Sequence, residues 1–488
     1  MVIESLKYKI LQQFGFAPTQ EQGQALDTFV SFLTDRDPQA VMILRGSAGT
    51  GKTSLSGAIV RTLLQIRQKV MLLAPTGRAA KVFSLGSGAP AYTIHRRIYR
   101  EKAFAGVDGQ FGLNDNLYTD TLFMVDEASM IANMGLGGTT FGSGCLLDDL
   151  VKFVYQGHND RLLLIGDKAQ LPPVGEEESP ALSASVMEGY GLKVYECDLN
   201  EMLRQSQSSG ILYNATLIRQ MITHDAVTGL PLIRFKGFAD IVMMPGAELV
   251  ESLGDSYHHV GMDETMVITR SNKRANIYNN GIRNMVLDRE EELSSGDMLM
   301  IVKNNYFWTE KEKKESGEGS AGAVPAFLAN GDRAKVLRVS NYIELYGFRF
   351  ATLLLQLPDY DDYEMQVTGM LDTLQSEAPA LTHEQQEELF RQVEEDYQHF
   401  VPLKADRMKS IRQDAYFNAL QIKYAYAVTC HKAQGGQWAH VYVDQGYMTD
   451  DMLTPDYIHW LYTAFTRATD KLFLVNWPKE QTCEPTDL

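Results

Sequence analysis

A glycine-rich segment with one lysine and one threonine is the part of the sequence whose chemistry is easiest to specify. Residues 46–53 read GSAGTGKT and follow the apolar run 41–44. This is the form G-x-x-x-x-G-K-[ST] of a phosphate-binding loop, set between a strand and a helix-forming stretch. The glycines let backbone N–H groups turn toward an anion, Lys52 supplies a charge for the β- and γ-phosphates, and Thr53 offers a hydroxyl to Mg²⁺. The predicted nucleotide-binding loop comprises Gly46, Ser47, Ala48, Gly49, Thr50, Gly51, Lys52, Thr53 and Ser54.

Two acids and one amide follow the next apolar strands at the places where a nucleotide enzyme needs them. Asp126 and Glu127 come directly after the apolar run 121–125. Asp126 can hold Mg²⁺, usually through water, and Glu127 can orient and deprotonate an attacking water. Gln170, in LIGDKAQLPPV at 164–174, carries an amide that can contact a γ-phosphate or that water. Alone, each would be an ordinary strand end; after a phosphate-binding loop, the catalytic interpretation is favoured.

Several basic and hydroxyl groups are candidates for contacts with phosphates outside the loop. Arg204 and Arg467 could reach a γ-phosphate from separate elements, although a surface ion pair is the commonest fate of an arginine. The segment TCHKAQGG at 429–436 suits contact with a sugar–phosphate backbone. Thr76 could bind a phosphate at a helix start or act as a plain helix cap, and TIHRR at 93–97 adds a basic cluster.

The composition limits the class of protein. The chain has 488 residues, 44% of them hydrophobic and 22% charged, which predicts two to four globular domains. The net charge of −17 argues against nucleic-acid binding by bulk attraction but not against a local basic groove, because much of the acid lies in 358–398 and 176–178. No membrane span or signal peptide is expected, and four scattered cysteines fit a reducing cytoplasm.

The order of apolar runs predicts two α/β units. The runs 71–74, 121–125 and 161–165 alternate with helical stretches, which is typical of a parallel sheet with crossover helices. A helix is expected over 5–35. A second set of strands is expected at 266–269, 424–428, 441–443 and 472–475.

Four segments between these runs differ in character. Residues 99–120 resemble a small excursion from the first sheet, and the charged, glycine-rich 310–322 predicts a mobile loop. Residues 331–357 alternate like strands of a small antiparallel barrel. Residues 382–415 are acidic with an apolar stripe at helical spacing, which predicts an acidic helical arm.

Taken in order, these segments resemble one family. The loop, APTGRAAK, TIHR, VDEAS, GDKAQLPPVG, LRQ, TCHKAQG and YTAFTRA follow the order of motifs in superfamily 1 helicases, and more narrowly in the 5′-to-3′ branch of Dda, RecD and Pif types. The motifs run from about residue 18 to residue 475. No family motif is recognisable in 206–265 or 358–420.

The resemblance implies roles for individual residues. Gln22 resembles the glutamine that reads adenine, with Gln20 as the competing choice, and Gly435 would also line the cofactor site. Arg204 and Arg467 resemble two arginine fingers, Gln170 senses the γ-phosphate, and Thr53 with Asp126 serves the metal. The residues implied to grip the strand are Pro75, Thr76, Gly77, His95, Thr429, His431 and Lys432. Phe104 and Phe111 are candidate strand-separating residues, for which a plain loop position is an equal alternative.

The resemblance also implies an architecture of two RecA-like P-loop domains. The first would comprise 1–98 and 121–205, and the second 206–330 and 421–488. A small wedge domain would occupy 99–120, and an SH3-like β-barrel insertion carrying the acidic helical arm would occupy 331–420. ATP and Mg²⁺ would bind in the cleft between the two large domains.

The expected function is that of an ATP-dependent helicase that moves 5′-to-3′ on single-stranded DNA and unwinds duplexes in DNA repair, recombination or replication. Single-stranded DNA and its junctions with duplex would be the partners of a monomer, with a protein partner at the acidic arm and no membrane. A DNA-stimulated ATPase that switches its grip without moving is the alternative. A small-molecule kinase is a third hypothesis, but it leaves 424–475 unexplained.

Overall fold

The computed structural model describes residues 2–105, 108–135, 141–201, 208–223, 229–316, 324–325, 327–449 and 452–483. Within these ranges the chain forms two parallel sheets, a closed five-stranded barrel and a two-stranded hairpin. The fold is therefore a mixed α/β fold, as the alternation of apolar runs and helical stretches predicts. None of the helices in the described part of the chain combines the length and apolar character needed to cross a membrane.

The chain begins with two helices rather than the one expected over 5–35. They are α1 (Val2–Phe14) and α2 (Gln20–Thr34). The break falls at Pro18 and Thr19, where the Thr19 side chain accepts from the Gln22 N–H and the Gln22 side chain accepts from the Thr19 N–H. This reciprocal capping box fixes the start of α2, so the stretch cannot continue as one helix.

The first sheet uses the N-terminal half of the chain. Its elements, with the hairpin, are β1 (Ala40–Gly46), α3 (Lys52–Gln65), β2 (Lys69–Ala74), α4 (Gly77–Ser87), β3 (Ala91–Thr93), α5 (Ile94–Ile98), β4 (Tyr99–Ala105), β5 (Asp108–Leu113), β6 (Thr121–Val125), α6 (Leu146–Gln156), β7 (Arg161–Gly166), α7 (Ala184–Gly189) and β8 (Lys193–Leu199). The strand order is β3-β2-β6-β7-β1-β8, and every pair is parallel. Strands β1, β6 and β7 are buried at every position, because helices and loops cover both faces of a parallel sheet.

The C-terminal half contains the second sheet and the barrel. Its elements are α8 (Gly210–Thr223), β9 (Ile241–Met244), α9 (Leu249–His259), β10 (Thr265–Thr269), α10 (Asn272–Gly281), β11 (Met298–Ile301), α11 (Phe307–Ser316), β12 (Arg333–Leu345), β13 (Phe348–Leu357), β14 (Tyr363–Met370), α12 (His383–Gln398), α13 (Lys404–Arg412), β15 (Leu420–Tyr424), β16 (Ala427–Thr429), α14 (Cys430–Ala433), β17 (Trp438–Asp444), α15 (Pro455–Phe465) and β18 (Ala468–Val475). The second sheet has the order β16-β10-β17-β18-β9, again all parallel. Strands β11 to β15 close the barrel.

Two expectations about this half are wrong. The run 424–428 is not one strand, because β15 ends in the barrel at Tyr424 and β16 starts in the second sheet at Ala427. Both strands are apolar and buried, so the sequence shows no change of character between them. The expected mobile loop at 310–322 is helical through Ser316 in α11, and residues 317–323 lie outside the described residues.

The barrel also extends beyond the expected range 331–420, because β11 and most of β15 lie outside it. Helices α12 and α13 pack on its outer side through an apolar cluster that includes Phe350, Leu389, Val393 and Ile411. The chain turns between the two helices at 399–403, where Pro402 stands next to the start of α13. The 382–415 stretch is therefore a pair of helices seated on the barrel.

Candidate nucleotide site and strand interface

The chemically relevant side chains follow three neighbouring strands of the first sheet. Strand β7 lies between β6 and β1, and all three run in the same direction. Their carboxyl ends therefore meet at one edge, where open α/β sheets bind their ligands. The phosphate-binding loop follows β1, the acids Asp126 and Glu127 follow β6, and Gln170 follows β7.

The phosphate-binding loop has the backbone that its glycines permit. Gly49 and Gly51 have φ angles of 78° and 81°, in the left-handed region where a side chain is strained. Lys52 begins α3, and its Nζ donates to the carbonyl oxygens of Gly46 and Ser47 at 2.5 and 2.9 Å. The ammonium group is thus folded back over the loop, beside the place that the loop amides prepare for an anion.

Gln22, the predicted adenine reader, is buried and bound from both ends. Its Oε1 accepts from the Thr19 N–H at 3.0 Å, and its Nε2 donates to the Thr50 carbonyl at 2.9 Å. Gln20, the competing choice, is exposed. In this structure Gln22 ties the start of α2 to the phosphate-binding loop, and its contact with a base stays a prediction.

The acid pair places the carboxylate of Asp126 directly beside the carboxylate of Glu127. The Asp126 Oδ1 accepts from the Glu127 N–H at 2.9 Å. Burial, followed by the adjacent Glu127 charge, raises the pKa of Asp126 well above its usual range, whereas the charge of Lys52 acts in the opposite direction. A divalent cation would relieve this cost, and an oxygen donor set of Asp126 and Thr53 suits Mg²⁺. The residues present therefore fit the metal.

Gln170 connects the two halves of the chain at Glu127, the predicted catalytic acid. In the amide orientation that satisfies both neighbours, its nitrogen donates to the Glu127 Oε2 at 3.2 Å and its oxygen accepts from the Arg467 Nη2 at 3.2 Å. Arg467 is 2% exposed; its Nε and Nη1 donate to the Thr463 and Gly436 carbonyls, and its Nη2 also donates to the Thr466 Oγ1. The arginine from the end of α15 thus lies one residue away from the acid of the first sheet.

Tyr462, which the sequence reasoning did not single out, reaches the phosphate-binding loop from α15. Its hydroxyl accepts from the Ala48 N–H at 3.0 Å and donates to the Asp167 Oδ2 at 2.6 Å. Burial and the Asp167 charge raise the pKa of Tyr462 well above its usual range, so the hydroxyl stays protonated. Its place in YTAFTRA, five residues before Arg467, was the available signal.

Helix α8 covers the loop from the same side. Leu212 stands against Gly49, where an added Cβ would meet its methyl groups at 3.2 and 3.3 Å. Arg219 donates from Nη1 to the Ser47 Oγ at 2.7 Å and to the Asn200 Oδ1 at 3.1 Å. No family motif in the sequence pointed to this helix. Arg204, the other predicted finger, lies outside the described residues.

The predicted strand-gripping segments of the two halves meet directly. Thr76 caps α4 by accepting from the Ala79 N–H at 3.2 Å, and a Cβ built on Gly435 would lie 3.0 Å from its Oγ1. Next to it, Arg78 lies over the Trp438 ring at 4.6 Å and donates to the Gln437 carbonyl at 2.5 Å. Pro75 and Gly77 flank this contact, which joins α4 to β17.

The remaining gripping residues lie on both sides of that contact. Thr429 precedes α14 and makes no side-chain cap hydrogen bond, His431 is exposed and Lys432 is half-buried. Burial lowers the pKa of Lys432 to about 8. On the first half, burial lowers the pKa of His95 to about 4, so its ring is neutral at pH 7. Its ring packs on Phe141 at 5.1 Å.

The hairpin β4–β5 carries both strand-separation candidates. Phe111 stacks on Phe141 at 4.8 Å and on Tyr306 at 4.6 Å, and Tyr306 stacks in turn on Phe327 at 4.7 Å. Phe111 is therefore half-buried in an aromatic row between the hairpin and the segments flanking α11. Phe104 pairs with Gly109 through the backbone, and its side chain lies outside the described residues.

Two family models match the chain in order. The model described as "AAA domain" matches residues 17–228, and the model described as "UvrD-like helicase C-terminal domain" matches residues 424–475. The first match covers the phosphate-binding loop, both acids, Gln170 and α8. The second covers the TCHKAQGG segment, Tyr462 and Arg467.

Among curated relatives, the ATP-dependent RecD2 DNA helicase of Deinococcus radiodurans is 30% identical over 157 residues, which are 32% of this chain and 18% of that protein. An uncharacterised protein of Methanocaldococcus jannaschii is 33% identical over 168 residues, 32% of this chain and 13% of that protein. An uncharacterised protein of Acanthamoeba polyphaga mimivirus is 21% identical over 507 residues, 90% of this chain and 96% of that protein. The matches to the archaeal and Deinococcus proteins thus span less than a fifth of those chains.

Among solved structures, Pif1 helicase from Bacteroides in complex with ADP-AlF3 and single-stranded DNA aligns at 13% identity and a TM-score of 0.46, covering 96% of this chain and 95% of that one. Pif1 helicase from Candida albicans aligns at 16% identity and a TM-score of 0.41, covering 96% and 97%. The chain is therefore similar to an AAA domain over 17–228, to a UvrD-like helicase C-terminal domain over 424–475, and, over 32% of its length, to a RecD2 DNA helicase.

Proposed function

We propose that this protein is an ATP-dependent DNA helicase that translocates 5′-to-3′ on single-stranded DNA and unwinds duplex ahead of it. The observation that carries the proposal is the connection Glu127–Gln170–Arg467, with 3.2 Å on each side of the glutamine. A catalytic acid on one domain and an arginine on another give a site whose assembly depends on how the domains are placed. The direction of movement rests on the family resemblance.

The division of labour at the nucleotide follows from the positions of the groups. The loop amides and Lys52 hold the phosphates, and Glu127 holds and deprotonates the attacking water while Gln170 orients it. Thr53 and Asp126 would hold Mg²⁺, which neutralises developing charge on the phosphates. Arg467 lies close enough to turn toward the γ-phosphate when Gln170 does. Arg204 is proposed as the second finger on its motif alone.

The strand would lie across the contact between the two domains. Thr76 and the 429–436 segment offer hydroxyl, amide and ammonium groups, which suit phosphate contacts without base preference. Because a Cβ built on Gly435 would lie 3.0 Å from the Thr76 Oγ1, a strand passing between the two segments would have to separate them. Opening and closing of this contact with ATP turnover would move the strand stepwise.

The smaller parts receive proposed roles from their positions. The hairpin β4–β5 would meet the junction of single and double strand, with Phe111 supporting it. Helix α12 presents acidic side chains outward, which suits a basic protein partner better than DNA. We further propose that one chain is the working unit, since its nucleotide site combines residues of its own two halves, and that it acts in the cytoplasm on repair, recombination or replication intermediates.

Strand displacement on tailed duplexes tests the proposal. Two substrates with the same duplex, one with a 5′ single-stranded tail and one with a 3′ tail, are incubated with ATP and Mg²⁺. We expect displacement of the 5′-tailed duplex and little of the 3′-tailed one. DNA-stimulated ATP hydrolysis without displacement of either substrate would favour the non-translocating switch, and ATP hydrolysis that ignores single-stranded DNA would contradict both.

A further inference from the structure

Helix α8 places an arginine on the phosphate-binding loop that no family motif of the sequence assigned. The Arg219 Nη1 is 2.7 Å from the Ser47 Oγ, and Leu212, two turns earlier on α8, packs over Gly49. These two side chains are seven residues apart and therefore lie on the same face of the helix. This face of α8 therefore contacts the nucleotide loop at both positions.

The position of Ser47 fixes which end of a nucleotide Arg219 would meet. The Lys52 Nζ, whose role is at the β- and γ-phosphates, donates to the Ser47 carbonyl at 2.9 Å. The adjacent Ala48 N–H is held by the Tyr462 hydroxyl, which also bonds Asp167 at the exit of β7. Arg219 therefore lies at the end of the loop that faces Asp167 and Gln170, where the terminal phosphate and the attacking water belong.

The charge of Arg219 is already felt in that region. It lowers the pKa of Tyr462, opposing the larger effects of burial and Asp167. Its Nη1 donates to the Ser47 Oγ and the Asn200 Oδ1, and both of these acceptors are neutral oxygens. A phosphate oxygen is a better acceptor for a guanidinium than a hydroxyl or an amide, because both groups are then charged.

We propose that Arg219 is a further catalytic residue, which turns from Ser47 to the terminal phosphate of bound ATP and stabilises its charge during hydrolysis. The proposal rests on the proposed function, since it assigns a third arginine to the same ATP site. Arg219 differs in position from the predicted arginine fingers Arg204 and Arg467, because it lies on α8, the helix that covers the loop.

Discrimination between triphosphate and diphosphate measures this role. In the full-length protein, Arg219→Ala should weaken binding of the analogue AMP-PNP at least about tenfold, leave ADP within about twofold, and lower kcat about 10²- to 10³-fold. Arg219→Lys keeps the charge and should recover part of each loss. Arg234→Ala is the matched control, because Arg234 is also half-buried but stacks over Tyr213 and Phe238, and it should retain the wild-type preference for AMP-PNP.

Equal loss of AMP-PNP and ADP affinity, or no change in either, would overturn the proposal, since a merely structural arginine does not distinguish the ligands. Thermal melting of each variant shows whether the fold is kept. Failure of the proposed function looks different: the wild type would then not hydrolyse ATP in the presence of single-stranded DNA. If the wild type hydrolyses ATP but Arg219→Ala keeps the wild-type preference for AMP-PNP over ADP, only the role of Arg219 is refuted.

Discussion

Gln170 of the first half contacts Arg467 of the second half, and through the same amide it contacts Glu127, the predicted catalytic acid. Each of the two hydrogen bonds spans 3.2 Å. The amide bridges the carboxylate and the guanidinium through these two bonds, so it sets both the separation and the orientation of the two groups. In the proposed function, ATP hydrolysis and the placement of the two halves would be coupled at this side chain.

Gln170→Ala removes that link without removing either catalytic group. We expect kcat for ATP to fall about 10²-fold, because the attacking water and the arginine lose their common partner, while AMP-PNP affinity stays within about threefold. Steady-state ATPase assays and analogue titration measure the two quantities. Gln437→Ala, an exposed amide near the same interface, is the control. A comparable loss of AMP-PNP affinity would assign Gln170 to ground-state binding instead.

Lys52→Ala removes the ammonium group of the phosphate-binding loop. ATP hydrolysis and unwinding should both be lost, because no other side chain of the loop carries a positive charge. The measurement is phosphate release with and without single-stranded DNA. Lys9→Ala, at an exposed position of α1, should behave as wild type. DNA-stimulated turnover in the Lys52 variant would refute the assignment of the loop.

Arg78→Ala removes the stacking of α4 on Trp438. A cation–π pair of this kind contributes about 0.5–2 kcal/mol, so the closed contact between the halves should weaken about 2- to 30-fold. We expect the stimulation of ATPase activity by single-stranded DNA to fall, with DNA-independent turnover little changed. Arg78→Lys keeps the charge over the ring and should retain most of the stimulation. An unchanged response to DNA would show that the contact has no part in coupling.

The lowered pKa of Lys432 predicts a pH-dependent grip on the strand. Burial lowers this pKa to about 8, and the neighbouring Lys423 also has its pKa lowered to about 8, by burial and then by Lys432. A strand phosphate favours the charged amine, so affinity is full below pH 8 and falls above it, by up to about tenfold per pH unit for one amine. The sign for stability is opposite: the buried charge is costly below pH 8, and stability rises between pH 8 and the unfolded pKa near 10.5.

Fluorescence anisotropy with labelled single-stranded DNA between pH 7 and 9.5 measures this dependence. Lys432→Arg keeps its charge throughout and should flatten the profile, whereas Lys471→Arg, on an exposed part of β18, should not. A wild-type affinity that is constant across this range would remove Lys432 from the strand path.

Phe111→Ala removes the ring that joins the hairpin to Phe141 and Tyr306. Two aromatic contacts of this kind amount to about 1–3 kcal/mol, enough to release the hairpin from its position. We expect unwinding of a 5′-tailed duplex to slow at least about tenfold, while ATPase activity on single-stranded DNA changes less than about twofold. Phe400→Ala, a 79% exposed ring between α12 and α13, serves as control. Equal loss of both activities would place Phe111 in the motor itself.

The sequence predicted what short motifs and apolar runs encode. The strands β1, β2, β6 and β7 lie at the expected runs because buried parallel strands are continuous apolar segments. It failed at the boundary between β15 and β16, where two residues separate strands of different sheets and both are apolar. It also missed Tyr462, although that residue lies within a recognised motif, and Arg219, whose proximity to the loop arises from the packing of α8, which no local pattern records.

The connection between the barrel and the second sheet has a mechanical consequence. Only Ala425 and Tyr426 separate β15 from β16, and the Tyr426 hydroxyl is held by the buried Asp297 next to β11. Because this connection is short and hydrogen-bonded, we expect the barrel and the second sheet to rotate together. A rotation of the second sheet during nucleotide turnover would then rotate the barrel, α12 and α13 with it. A small change of angle at the cleft would become a larger displacement at the outer ends of these helices.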